Sequence, residues 1–301
     1  MARQSHQGSR RVKNTVTATD RLRRAGSKSI NRGRYYGLRL AAAIACSLIL
    51  AFPLYWMIVV AFSPRRELLT TELRLWPQHF TLANFDRILG SFPIPTWFGN
   101  SVAIAVVVTG LTVSVNLLAG YAFAHLRFRG SSVVFLVLLS TLMLPLQVIM
   151  VSEFQLITAL GIYGTYWAVI LPTAASAFGM FLARQFILGI PREIIEAARV
   201  DGAGSLRVFL QIVLPLCKPL IAVLTLLTLL STWNDFAWPL IALKQNELFT
   251  LPIGLLYLQG QFGSDYGATM AFALLSVLPM VVLFVAFQRY FVQGFARSGI
   301  R

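Results

Sequence analysis

The chain has 301 residues, of which 57% are hydrophobic and only 12% charged, and its mean hydropathy is +0.70. Soluble domains carry about 25% charged residues, so an ordinary water-soluble domain is excluded. The net charge of +15 is placed as in a membrane protein, which argues against a nucleic-acid binder.

Eleven Lys and Arg, including Arg10, Arg11, Lys13, Arg21, Arg23, Arg24, Arg32 and Arg34, fall in residues 1–39 against one acid, Asp20. Residues 1–37 read as a basic, disordered tail drawn to anionic lipid, too long and too basic for a signal peptide. Six apolar runs follow, each of about 20 residues and long enough for a hydrocarbon core of about 30 Å. They are Leu38–Phe62, Phe98–Phe123, Val133–Ile157, Tyr166–Leu188, Leu220–Leu243 and Ala268–Phe291. Only helices satisfy their backbone hydrogen bonds segment by segment, so the expected fold is an all-α integral membrane protein with six transmembrane helices. With the amino terminus inside, Arg127, Arg129, Arg184, Arg192, Arg199, Arg207, Lys218, Arg289, Arg297 and Arg301 also lie inside, which puts 21 of the 26 Lys and Arg on one side. That asymmetry predicts that both termini are cytoplasmic.

Between the first two spans lies a loop rich in Pro and aromatics (Trp76, Pro77, Phe80, Phe85, Phe92, Pro93, Pro95, Trp97), suited to the membrane interface. Thr81-Leu82-Ala83-Asn84-Phe85 has the pattern of a capped short helix. The last outer connection, Lys244–Gly267, reads equally as a contact surface or as a solvated loop. No Walker A pattern, zinc-ligand spacing or dinucleotide glycine fingerprint is present. His6, His79 and His125 all fall outside mid-span positions, so a proton relay or intramembrane hydrolase lacks its parts.

The polar interruption between the fourth and fifth runs, about residues 190–216, is the most informative stretch. Pro191 suits a first helical position, Glu193 complements the positive helix start, and Gly202 suits a left-handed stop. Ile194, Ile195, Ala198 and Val200 make an apolar face, with Glu196, Arg199 and Asp201 toward water or a partner. From the residues alone this is a docking element or an inert interfacial helix in equal measure.

Glu196-Ala197-Ala198, Gly202, Ile212, Leu214 and Pro215 together resemble the signature of permease subunits of binding-protein-dependent ABC importers. Asp201-Gly202-Ala203, Thr232-Trp233-Asn234-Asp235, Trp238-Pro239-Leu240 and Gln288–Val292 with Gly294 resemble the MalG-type carbohydrate branch, and the likeness covers roughly residues 38–295. The ending Phe295–Arg301 departs from the usual tail, so residues 296–301 form a short cytoplasmic tail without a carried-over role. The resemblance implies a bacterial or archaeal inner-membrane subunit that is not itself an enzyme. Its partners would be a homologous second permease, two ABC ATPase subunits and an extracytoplasmic solute-binding protein. ATP-Mg would sit on the ATPases, with no cofactor on this chain. It also implies a coupling helix at about Pro191–Gly202. The ATPase-docking residues would be Glu196, Ala197, Ala198, Arg199, Asp201 and Gly202, while Pro191, Ile212, Leu214 and Pro215 would be structural.

Within the spans, Thr109, Thr112, Asn116 and Gly120 share a helical stripe, as do Thr225, Thr228, Thr232 and Asp235. Ala175, Gly179 and Ala183 form a small-residue packing face. Asn116, Gln147, Asn234 and Asp235 are the candidates for a hydrated pathway, although Ser and Thr in membrane helices also bond their own backbone. Asp235, about 22 Å past Leu220 at 1.5 Å per residue, falls in the outer part of the bilayer, where a helix cap explains it nearly as well. The cargo expected is a carbohydrate, with glycerol-3-phosphate or a polyol as the alternative; no basic residue at mid-depth favours the phosphate. The rival class is a self-sufficient ion-coupled carrier, which needs intramembrane coupling carboxylates or broken helices.

Overall fold

The computed structural model describes residues 36–68, 75–126, 128–262 and 265–298. The basic tail before Tyr36 and the last three residues lie outside these. The chain divides into two compact units between Ile58 and Val59, inside its first helix, α1 (Tyr36–Ala61). By itself α1 has 26 apolar-rich residues, about 39 Å at 1.5 Å per residue, enough to cross a bilayer. Its successive Leu48, Ile49 and Leu50 are all exposed, as on a helix that is apolar all round and faces lipid.

The described residues of the second unit contain helices and connections but no strand. In order these are α2 (Arg65–Leu68), α3 (Ala83–Ser91), α4 (Ile94–His125), α5 (Ser131–Ser140), α6 (Leu146–Ala159), α7 (Tyr166–Ile170) and α8 (Ala177–Leu188). After them come α9 (Arg192–Val200), α10 (Ser205–Val208), α11 (Leu214–Leu216), α12 (Lys218–Asn234), α13 (Ala237–Ala242), α14 (Leu251–Phe262) and α15 (Tyr266–Ser298). The long helix α4 is the axis of the unit, packed against α8 and α12 and flanked by α7 and α14. Its first half (Ile94, Trp97, Ile104, Ala105, Val108) belongs to one buried cluster with Trp238, Leu251, Ile253 and Phe272. Its second half (Val113, Leu117, Tyr121) belongs to another, with Ile187, Ile195, Val208 and Phe209. The polar stripe of α4 lies near where one cluster gives way to the other.

Three of the expected spans are broken, each at a residue whose chemistry accounts for it. The third bends by 111° between the short 3₁₀ turn Thr141–Met143 and α6, where Leu144 is held extended by the Pro145 that follows. The fourth is interrupted between α7 and α8 around Pro172. There Thr173 Oγ1 donates to the carbonyls of Val169 and Ile170 (2.8 and 3.1 Å), and Ser176 Oγ accepts the Gly179 N–H (3.2 Å) to begin α8. The fifth ends as a helix at Asn234, because Asp235 turns extended and α13 restarts beyond it. A bend of 79° also separates α10–α11 from α12 at Cys217. Among the described residues, α1, α4 and Tyr266–Val285 of α15 are each long and apolar enough to cross a membrane, and the two bent stretches would raise that number to five. The sixth span continues through Pro279, and α15 runs to Ser298, into the residues expected to be a tail.

The connection expected as a surface or solvated loop over Lys244–Gly267 is largely packed structure. Leu251, Ile253 and Leu258 of α14 are buried, and Gly254 lies so close to the Trp97 ring that a Cβ would collide with it. Trp97 Nε1 donates to Asn246 O (2.7 Å), and Asn100 Nδ2 donates to Glu247 O and Phe249 O (2.7 and 2.9 Å), stitching this segment to the start of α4. Expecting a loop underestimated the apolar content of residues 251–258.

Asp265 caps α15 by accepting the Ala268 N–H (3.1 Å) and pairs with Arg87 of α3, while its side chain is only 3% exposed. Arg87→Met leaves that carboxylate buried without its cation. We expect a loss of about 3–5 kcal/mol, read as a lower unfolding temperature in detergent, with part recovered in Arg87→Met/Asp265→Asn. Equal unfolding temperatures for wild type and Arg87→Met would show that the pair contributes nothing.

Candidate functional site

Two features of the second unit have the makings of a site, a polar cavity beside α4 and the amphipathic segment from α9 to α11.

The cavity holds about 320 Å³ between α4, α8 and α12. Helical periodicity brings Thr112 and Asn116 from α4, and Thr228, Ser231 and Thr232 from α12, to its wall. Asp235 reaches it from the break after α12, where its carboxylate accepts the Trp238 N–H at 3.4 Å. Asn116 is 1% exposed, and its Oδ1 accepts the Ser176 N–H at 3.2 Å. Thr112 Oγ1 donates to Thr173 O at 2.9 Å across the α7–α8 break. Of the four pathway candidates, Asn116 and Asp235 therefore meet in one cavity. Gln147 does not line it and is exposed on α6. Asn234 turns away and donates to Leu230 O of its own helix (2.8 Å).

Ser101, Thr173 and Thr250 also line the cavity and were missed. Thr250 came from the supposed loop, and Ser101 and Thr173 fell outside the stripes. Glu153, like Asp235 a carboxylate inside an apolar run, does not line the cavity. It sits on α6, which packs against α13, within electrostatic reach of Asp235.

The small-residue face holds in part. A Cβ on Gly179 would collide with the Asn116 side chain, and one on Gly120 would lie 2.5 Å from Ala183 Cβ. Ala175 lies in the α7–α8 break and is exposed.

In the amphipathic segment, α9 begins after Pro191, which stands one place before the first helical position with ψ 129°. Ile195 is 2% exposed, and Ala198 packs beside it against the second cluster. Ile194 and Val200 were expected on this face, but they are 44% and 86% exposed, because at 100° per residue Ile194 flanks the Ile195–Ala198 line and Val200 falls on the opposite side of the helix. Gly202 takes φ +81°, with its N–H donating to Arg199 O (3.0 Å) and that of Ala203 to Ala198 O (2.9 Å). This is a complete Schellman stop, which a Cβ would strain. Glu196, Ala197, Arg199, Asp201 and Gly202 are exposed. Glu196, Arg192 and Arg199 border a recess of about 470 Å³ shared with His125, Phe128 and Ser131.

The stretch behind α9 is held by a buried stripe of Val208, Phe209, Val213 and Cys217, by the Tyr121–Phe209 ring contact at 5.2 Å, and by Tyr121 Oη donating to Ser205 O (3.1 Å). Phe209–Val213 form a π turn. Pro215, two residues on, has no N–H to give to Gln211 O, and a widened turn accommodates its ring. Ile212 and Leu214 are half-buried, and Pro215 is exposed.

Residues 116–297, from the cavity asparagine through the amphipathic segment to α15, match the family described as the binding-protein-dependent transport system inner membrane component. The chain belongs to this family. It is thus a membrane transport subunit and not an enzyme. It is 40% identical over 256 residues (84% of this chain, 92% of the relative) to the arabinooligosaccharides transport system permease protein AraQ of Halalkalibacterium halodurans. It is 34% identical over 268 residues (88% and 94%) to the lactose transport system permease protein LacG of Rhizobium radiobacter. Among solved structures it resembles a bacterial ABC transporter involved in importing the acidic polysaccharide alginate, with a TM-score of 0.77 at 23% identity, covering 86% of this chain and 97% of that one. At that identity the likeness concerns the fold of the permease and not its cargo.

Proposed function

We propose that this permease is one half of the membrane channel of an ABC importer that carries a carbohydrate into the cytoplasm. The observation that carries the reading is α9. It is a short helix anchored by Ile195, stopped by Gly202, and presenting Glu196, Arg199, Ile194 and Val200 outward in a member of the binding-protein-dependent family. In this reading α9 couples to a cytoplasmic ATPase, and a homologous second permease, two ATPases holding ATP-Mg and an extracytoplasmic binding protein complete the machine. The chain crosses the bilayer six times, counting the broken stretches, with both termini inside, and it binds neither a cofactor nor nucleic acid. The arabinooligosaccharide and lactose relatives support a saccharide cargo. The Asn116–Asp235 cavity is its candidate path.

The test is isolation of the complex from membranes together with disulfide trapping from Val200→Cys, with Cys46 replaced by Ser. We expect an ATPase to co-purify and the trapped product to change when ATP is added. A transport-competent protein without an ATPase would sink the importer reading in favour of an ion-coupled carrier.

A further inference from the structure

We propose, resting on the importer reading, that the cavity beside α4 directly recognises the hydroxyls of an uncharged saccharide, and that Asp235 excludes saccharides bearing a carboxylate or phosphate. Three independent observations lead there.

The first is an unmet hydrogen bond. Thr250 lines the cavity and is only 5% exposed, yet its Oγ1 has no partner among the described residues. Buried polar atoms in folded proteins are overwhelmingly paired, and a hydroxyl is best matched by a group that can both donate and accept. A sugar hydroxyl is such a group.

The second is the lining. Ser101, Asn116, Thr228, Ser231 and Thr232 bring short polar groups to the same space as Asp235. An ionised carboxylate only accepts, and its oxygens have room for more than the backbone N–H groups of Ala237 and Trp238. Neighbouring hydroxyls on a sugar ring supply donors at that spacing, and hydrogen bonds to a charged acceptor are the stronger kind.

The third is the balance of charge. No Lys, Arg or His lines the cavity. Arg184 is engaged elsewhere, donating to Phe123 O (3.3 Å) and lying 4.4 Å from the centre of the Phe135 ring, and Arg87 is paired with Asp265. The Asp235 carboxylate with no facing cation sets a field that an anionic ligand must enter against, so rejection comes from repulsion as well as from contacts.

The experiment uses the complete transporter in lipid nanodiscs without binding protein, so that selectivity belongs to the membrane part. Radiolabelled neutral pentose and hexose trisaccharides are compared by equilibrium dialysis with counterparts in which one terminal sugar is a uronic acid. We expect a neutral member to bind at least about tenfold more tightly than its acidic counterpart, about 1.4 kcal/mol. Asp235→Asn retains an acceptor for the Trp238 N–H, and Thr250→Val keeps the side-chain shape; both should weaken neutral binding. Asp235→Asn should also narrow the neutral-to-acidic ratio by about threefold or more, on the order of 0.65 kcal/mol. Equal or inverted preference in a complex that contains its ATPases overturns the exclusion and leaves the importer reading intact. A ratio unmoved by Asp235→Asn, or no neutral trisaccharide bound, overturns it too. Absence of ATPases removes the importer reading and this proposal with it.

Discussion

Glu196→Lys combined with Gly202→Pro should lower solute uptake roughly 5–150-fold, the range of a coupling free energy of about 1–3 kcal/mol. The ATPase should be lost from the purified complex while the second permease stays. The size of the effect separates docking from folding. Glu196 is exposed, and a lysine there joins Arg192 and Arg199 on one short helix, at a cost of only about 0.2–0.5 kcal/mol per like-charge pair. Gly202 is different in kind. At φ +81° it holds a conformation that proline, fixed near −65°, cannot adopt, and proline also deletes the N–H bonded to Arg199 O. The chain then leaves α9 in a new direction. Gly202→Asn, which tolerates the left-handed region, should retain most uptake. Uptake at the wild-type level in the double variant would falsify the docking role.

Gly120→Leu should abolish accumulation of folded protein, and Gly120→Ala should cost about 1–3 kcal/mol or more, the usual penalty for overpacking. A Cβ at this position would meet Ala183 Cβ at 2.5 Å and two backbone atoms, Ala183 C and Arg184 N, at 2.9 Å. Close packing leaves no space to absorb it unless α4 and α8 separate. Ala183→Gly removes only the nearest of the three contacts, so it should rescue Gly120→Ala in part and Gly120→Leu not at all. Detergent-solubilised unfolding temperature reads the first pair, and fluorescence-detected size exclusion reads the second. Normal yield of Gly120→Leu would show that the two helices are not held at this distance in the membrane.

The helical class and the three unbroken membrane-length helices were legible because about 20 apolar residues in a row mean the same thing wherever they occur. The breaks were less so. Pro145 and Pro172 were visible in the sequence, yet proline is tolerated inside membrane helices, as Pro279 shows, so its presence alone does not say whether a helix bends or continues. The stop at Gly202 was legible because only glycine takes that conformation without cost. The outward turn of Val200 was not, since three apolar neighbours hid which of them the bundle would claim. In the cavity, Asn116 and Asp235 were readable as polar interruptions. Thr250 was unreadable, because its place depends on Gly254 and Trp97 drawing a distant segment onto α4.

Helix α4 is the longest described element of the second unit that reaches both buried clusters, and it has no proline in its interior and no break. Its 32 residues span about 48 Å. Such a rod has no joint at which a tilt can be absorbed. Leaning it by a few degrees at the end stitched to Asn246 and Phe249 carries the far end, with Tyr121 and the segment bonded to it at Ser205, sideways by several ångströms. The jointed helices around it can follow by flexing at their breaks. The molecule thus pairs one stiff beam with several hinged ones, a construction in which movement at one membrane surface arrives at the other with its direction kept and its amplitude set by length alone.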